Sequence, residues 1–211
     1  MMYSRLRHKP IQYILGDTYF MGNRILVKQP VLIPRVETEK LCELILEDMK
    51  NKQPFKFLEI GCGSGCISIS LCKNSNCEGV AIDISQHAVS LTKKNAKLVL
   101  GKKWYKKLSV YESDMWKFSP GNKFDLIVSN PPYIPSLMIN GLEKQVKLWE
   151  DNRALDGGDD GFKYVEFIIK QDWVKENGEM WFEIDSSHKD KVEGEYIEDI
   201  FGRCRYLKIK K

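Results

Sequence analysis

Phe57-Leu58-Glu59-Ile60-Gly61-Cys62-Gly63-Ser64-Gly65 is the stretch that decides how this 211-residue chain folds. Phe57 to Ile60 is a short apolar run of the kind that fills a strand covered on both faces, and three alternate glycines follow it directly. Glycine is needed where backbone takes a positive φ or approaches a ligand closely. Ile67 to Cys72 then opens a helix, whose first turn offers unpaired N–H groups. Strand, glycine turn and helix in that order predict the first unit of an α/β domain with a ligand loop at its end. The alternative is a tight strand-to-helix turn that binds nothing.

Downstream the alternation continues. Gly79–Ile84 reads as the next strand, and Ser85 caps a helix with Ala88, Leu91, Ala96 and Val99 on its apolar side. Leu108–Tyr111 and Phe124–Ser129 are further strands. Residues 136–160 read as irregular, with Asp156-Gly157-Gly158 as a turn, before a helix over Phe162–Val174 and a fifth strand over Gly178–Ile184. Strands alternating with helices predict a mostly parallel sheet with helices on both faces. Arg203–Lys210 alternates like a last strand, but only about fifteen residues separate it from the fifth, too few for a helix and another strand. One sheet element near the C-terminus is therefore expected to be shortened or absent. The terminal strand should run antiparallel, as an exposed edge that its lysines suit.

Upstream, residues 11–34 alternate apolar and polar around Gly16 and Gly22, which predicts a hairpin-rich lead-in. Glu37 to Lys52 carries Leu41, Leu44, Ile45 and Met49 at helical spacing, with Thr38 as a cap. The chain thus divides into a lead-in or linker, 1–36, and an α/β domain, 37–211.

A hydrophobic fraction of 43% and a charged fraction of 29% describe an ordinary globular chain. The net charge of +4 comes from interspersed charges. Clusters such as Lys93-Lys94 and Lys106-Lys107 read as solvated faces, so no nucleic-acid-binding tail is expected. The six cysteines, Cys42, Cys62, Cys66, Cys72, Cys77 and Cys204, have no metal-ligand spacing, which predicts reduced thiols in an intracellular compartment and no metal site. No apolar run reaches membrane-spanning length. Residues 1–10 carry Arg5, Arg7, His8 and Lys9 without an apolar core, so they are no secretory signal and too short for a transit peptide.

Asp83 closes the second strand about 20 residues beyond the first glycine, where an acidic side chain hydrogen-bonds ribose hydroxyls. The spacing is Gly-x-Gly-x-Gly, not the Gly-x-Gly-x-x-Gly that cradles a dinucleotide pyrophosphate. A nucleoside cofactor without phosphate, S-adenosyl-L-methionine, suits it. Cofactor contacts are expected at Glu59, Gly61, Cys62, Gly63, Ser64, Gly65 and Asp83. Asp114 reads either as acceptor for an adenine amino group or as a helix cap, and Met115 as packing on the adenine face.

A second signal, Asn130-Pro131-Pro132-Tyr133, follows the apolar run Phe124 to Val128. An amide nitrogen is a poor nucleophile because its lone pair is delocalised into the carbonyl. Acceptors aimed at its hydrogens hold it in line and stabilise the positive charge that develops. The Asn130 side-chain oxygen and the Pro131 carbonyl supply two acceptors, Pro131 and Pro132 stiffen the loop, and Tyr133 offers a flat face. Asn130, Pro131, Pro132 and Tyr133 are the candidate catalytic residues. Paired with the glycine loop, they predict methyl transfer from S-adenosyl-L-methionine to nitrogen. The bland reading is a Pro-Pro turn capped by Asn.

These residues resemble the HemK family, the peptide chain release factor glutamine methyltransferases. The resemblance runs through Pro10-Ile11-Gln12-Tyr13-Ile14-Leu15-Gly16, Leu32-Ile33-Pro34-Arg35-Val36-Glu37-Thr38-Glu39, Glu59 to Gly65, Val128 to Tyr133 and Ala154-Leu155-Asp156-Gly157-Gly158. It ends with Asp199 to Leu207, which is similar to the eukaryotic, mitochondrial-type branch. It implies a Rossmann-like, class I S-adenosylmethionine-dependent methyltransferase. It further implies methylation of the glutamine side-chain nitrogen (N5) in the Gly-Gly-Gln motif of release factors, hence a role in translation termination. Asn130 would contact both cofactor and glutamine, and Arg35, Glu37 and Glu39 would line the site entrance. A mitochondrial location is expected if a transit peptide precedes this sequence, and a cytoplasmic one otherwise. Three features depart from the family pattern: the match lacks the helical N-terminal domain that helps dock the release factor, Val36 replaces proline, and the C-terminal sheet is short. Two alternatives stand beside this reading: an N6-adenine methyltransferase on DNA or RNA, which needs the same grip, and a catalytically weak or regulatory homologue.

Overall fold

The computed structural model describes residues 8–211. Most of the leader discussed above, residues 1–7, lies outside them.

Seven strands form one sheet, built on β3 (Phe55–Ile60), β4 (Cys77–Asp83), β5 (Leu108–Glu112), β6 (Phe124–Ser129), β7 (Val174–Glu183), β8 (Glu195–Glu198) and β9 (Cys204–Lys210). Their order is β5-β4-β3-β6-β7-β9-β8, and a separate antiparallel hairpin pairs β1 (Asp17–Phe20) with β2 (Asn23–Leu26). β3 to β7 are mutually parallel, whereas β9 is antiparallel to both β7 and β8. The mostly parallel sheet and the antiparallel last strand are as the sequence predicts.

Strand alternation divides the core into two layers. Phe57, Ala81, Leu126 and Val128 face a layer shared with α2 (Val36–Met49), α3 (Cys66–Asn74) and α4 (Gln86–Leu100). Leu58, Ile60, Ile82 and Ile127 face a second layer with Val165 and Ile168 of α6 (Lys163–Ile169) and the ring of Trp173. Among the described residues, helices therefore cover both faces, three on one and a single short one on the other. A further short helix, α5 (Lys144–Lys147), lies in the connection between β6 and α6.

Several expectations need correction. Residues 11–15 are not strand-like: Ile11–Leu15 is a helical turn, α1, ended by Gly16 in the left-handed region at φ 87°. Thr38 does not cap α2. The cap position is Arg35, Val36 takes the first helical position at 73% exposure, and the Thr38 hydroxyl points inward. Proline is favoured at that first position because its N–H would be unpaired in any case, so Val36 breaks no hydrogen bond of the helix. The helix expected to reach Val174 ends at Ile169, since the Trp173 carbonyl already accepts the Phe124 N–H and Val174 pairs with Phe124. The register then shifts around Asn177, which holds φ 62°.

The C-terminal abbreviation takes a definite form. A 3₁₀ turn, Ser186–His188, stands where a crossover helix would pack, and β8 has four residues. β9 is not an exposed edge, because β8 lies outside it. Lys208 is accordingly buried, paired with Asp48 and, at 3.4 Å, with Glu179.

Candidate active site

The sheet order reverses between β3 and β6. Connections leave these neighbours in opposite directions, which opens a crevice beyond their carboxyl ends. Ile60 lies opposite Ser129 in register, and the Ser129 hydroxyl donates to the Ile60 carbonyl at 2.7 Å. The glycine loop and the Asn-Pro-Pro-Tyr loop therefore leave the sheet side by side. Between them lies a cavity of ≈ 220 Å³, whose wall includes Glu59, Gly61, Cys62, Gly63, Ser64, Asp83, Asp114, Met115, Asn130, Pro131 and Pro132. Gly65 and Tyr133, singled out with them, are not part of that wall.

Each position has a local cause. Gly61, Gly63 and Gly65 have φ of 75°, 55° and 80°. A Cβ on Gly63 would meet only Val31 Cγ1, at 3.8 Å, so that stretch of backbone stands open to the cavity. Gly65 is the cap residue of α3 and lies against Thr92. Asp83 ends β4, where its Oδ2 accepts the Gly63 N–H at 2.9 Å and its Oδ1 the Ser85 N–H at 2.8 Å. A carboxylate has about four lone-pair sites, so acceptor capacity remains on both oxygens. Burial raises the Asp83 pKa above the ordinary carboxylate value, with the two backbone N–H donors opposing it. Burial likewise pushes Glu59 up to about 8, although Ser68 donates to it through both backbone and hydroxyl. Asp114 lies two residues beyond β5 and accepts the Trp116 N–H at 3.0 Å, a turn-capping contact, while still lining the cavity.

Asn130 is tied down on its nitrogen side. Its Nδ2 donates to Thr38 Oγ1 at 3.1 Å, and Thr38 Oγ1 donates to Glu183 Oε2 at 2.7 Å. Tyr133 turns its hydroxyl toward Glu183 Oε1 at 3.4 Å. Burial first, then the Glu183 charge, raises the Tyr133 pKa. The Ala154 to Gly158 segment is the backbone partner of this loop. Ile134 N–H donates to the Leu155 carbonyl at 3.0 Å, Gly157 N–H to the Ile134 carbonyl at 2.8 Å, and Ser136 N–H to the Gly158 carbonyl at 2.9 Å. This short ladder splints the chain that follows Pro131-Pro132-Tyr133.

Of Arg35, Glu37 and Glu39, only Arg35 reaches the cavity wall. Its Nη2 donates to both carboxylate oxygens of Glu150 at 2.7 Å. Glu39 instead accepts the Met21 N–H at 2.7 Å and fastens the β1–β2 hairpin, and the Glu37 carbonyl accepts from Tyr206. Thr38, Glu150, Arg153 and Glu183 escaped the sequence reading as site residues. Thr38 lies in the Leu32 to Glu39 stretch but reads there as a helix start, Arg153 pairs with its neighbour Asp151, and the partners of Thr38, Glu150 and Glu183 are remote in the chain. Asn95 is another such link: it bonds the Leu26 N–H and carbonyl at 2.8 and 3.0 Å and the Ser64 carbonyl at 2.9 Å.

The residues fit a nucleoside-type cofactor. Glycine backbone bare of side chains, a strand-end carboxylate with spare lone pairs, and the apolar flank of Ile82, Ile84 and Met115 offer a sugar site beside a base site. A parallel sheet with this crevice is the architecture of α/β methyltransferases. Ribosomal protein L11 methylase from Lactobacillus delbrueckii subsp. bulgaricus superposes with a TM-score of 0.57 at 18% identity, covering 87% of this chain and 83% of that one. SMU.776 complexed with SAH superposes with a TM-score of 0.63 at 8% identity, over 93% and 56% of the two chains. The family model of the Methyltransferase small domain matches residues 25–146.

Two relatives narrow the class. The human MTRF1L release factor glutamine methyltransferase is 34% identical over an alignment of 233 positions that covers 98% of this chain and 69% of the relative. The release factor glutamine methyltransferase of Clostridium botulinum is 37% identical over an alignment of 222 positions that covers 98% of this chain and 77% of that one. The chain belongs to the release factor glutamine methyltransferases. It is an enzyme of S-adenosyl-L-methionine-dependent methyl transfer.

Proposed function

We propose that this chain methylates the side-chain nitrogen of the glutamine in the Gly-Gly-Gln motif of a peptide chain release factor, and so acts in translation termination. The observation that supports it most is the side-by-side exit of the two loops, set by the pairing of Ile60 with Ser129. When bound, S-adenosyl-L-methionine supplies an electrophilic methyl group on sulfur. Asp83 would hold its ribose hydroxyls, Asp114 and Met115 its base, and Glu59, Gly61, Cys62, Gly63 and Ser64 its remainder. Gly65 would act by shaping the loop from behind.

On the substrate side, Asn130 Oδ1 and the Pro131 carbonyl would accept the two amide hydrogens, which orients the nitrogen and favours its lone pair. Pro132 and Tyr133 hold that loop in shape. The proton lost from nitrogen leaves after transfer, so no strong base is required. The lead-in, 1–36, leads into the methyltransferase domain, 37–211, and no direct nucleic acid contact is part of this reading. A peptide chain release factor is the proposed partner, met in the mitochondrion if a transit peptide precedes this sequence and in the cytoplasm otherwise. Among the described residues, no helix is long and apolar enough to cross a membrane.

The test is transfer of labelled methyl from S-adenosyl-L-methionine to a purified release factor, beside a factor with Gly-Gly-Gln changed to Gly-Gly-Ala. Label on the first alone is expected, and Asn130→Ala should lower it by about 10² to 10³ while cofactor still binds. Equal labelling of both factors would overturn the assignment.

A further inference from the structure

Asn130 carries an acceptor oxygen and a donor nitrogen at positions that a half-turn exchanges. Only one orientation presents an acceptor to a substrate amide. What selects it lies outside the motif. Thr38 has a single hydroxyl proton, and Glu183 Oε2 accepts it. With that proton given to Glu183 Oε2 at 2.7 Å, Thr38 Oγ1 is left as an acceptor, and Asn130 must meet it with Nδ2, at 3.1 Å. The amide oxygen is then released toward the cavity. Both supports are shielded from competing water, Thr38 at 3% and Glu183 at 1% exposure. They are also rigidly mounted, one in the first turn of α2 and the other at the end of β7.

We propose that Glu183 is a positioning residue which, through the direction of the Thr38 hydroxyl, fixes the side-chain amide of Asn130 with its oxygen toward the substrate nitrogen. The proposal rests on the reading of Asn130 as the amide acceptor. Glu183 itself touches neither substrate nor cofactor. Replacing it with glutamine keeps its shape but brings N–H donors. Thr38 can then receive a proton from residue 183 and pass its own to Asn130, which turns the amide oxygen away from the substrate.

Two readouts test this on the full chain. The first is the side-chain NH₂ resonance of Asn130 in asparagine-labelled protein, identified by its loss in Asn130→Asp. It should move in Glu183→Gln and Thr38→Val and stay in place in Thr38→Ser. The second is steady-state methyl transfer. Glu183→Gln and Thr38→Val should lower kcat about 100-fold with the KM for S-adenosyl-L-methionine unchanged, and Thr38→Ser should recover most of the rate. A resonance that ignores Glu183→Gln overturns the proposal, and so does a shifted resonance with unchanged kcat. If the resonances behave as expected but wild-type protein transfers no methyl to glutamine, the substrate reading falls while the orientation of Asn130 by Glu183 is upheld.

Discussion

The Gly63 N–H donates to Asp83 Oδ2 at 2.9 Å, so the carboxylate that ends β4 is part of the loop that ends β3. One group thereby sets loop shape and faces the cofactor cavity. Asp83→Asn should keep the fold and weaken S-adenosyl-L-methionine about tenfold, the scale of one lost charge-assisted hydrogen bond. Burial raises the Asp83 pKa. Its acceptor form is lost as pH falls through that raised value, so affinity should drop on acidification in the wild type and not in Asp83→Asn. Calorimetric titration at several pH values reads both effects.

Gly161 is packed against the substrate loop. A Cβ there would stand 2.2 Å from the Tyr133 carbonyl oxygen and 2.9 Å from His188 Nε2, at φ 76°. Gly161→Ala must therefore displace Tyr133. Because the crowding falls on the loop after β6 and not on β3 or β4, we expect at least a tenfold loss of kcat with cofactor affinity retained. Single-turnover kinetics beside a binding titration would show the split.

Glu59 makes stability fall as pH rises. Its folded pKa of about 8 lies above the ordinary 4.5, chiefly through burial, so between these values the folded protein holds a proton that the unfolded chain has released. The unfolded state then binds fewer protons, and stability declines across this window as pH increases. Glu59→Gln should flatten that slope, which thermal melts from pH 5 to 8 would reveal.

Lys208 compensates buried charge. It lies against Glu179 at 3.4 Å, pairs with Asp48 and sits 5.0 Å from the centre of the Trp181 ring. Lys208→Met leaves Glu179 with Lys52, at 2.8 Å, as its main cation and should cost about 3 kcal/mol. That corresponds to a fall in Tm of roughly 10 °C. Adding Glu179→Gln should restore part of the loss, as a double-mutant cycle would measure.

What was legible in the sequence depended on the distance over which its cause acts. The loops at Gly61 and Asn130 could be read because glycine and proline constrain their own backbone, and Asp83 because the length of one strand–helix–strand unit fixes its place. The anchors of Asn130 could not be read in this way. Thr38 reads locally as a helix start, and only its position on α2 brings it to Glu183 at the far end of β7. Lys208 misled for a similar reason. Alternating lysines suit an edge strand, but four residues of β8, too few to announce themselves, cover that edge. The segment from Ala154 to Gly158 stood out by resemblance alone, and its physical role as a splint for Ile134 and Ser136 emerges only from the backbone ladder.

Asn95 grips strand β2 and the glycine loop with one side chain, bonding Leu26 on one side and the Ser64 carbonyl on the other. Hairpin and cofactor loop are thus mechanically geared. Displacing either one strains three hydrogen bonds of a fully buried amide, so the two move as one body.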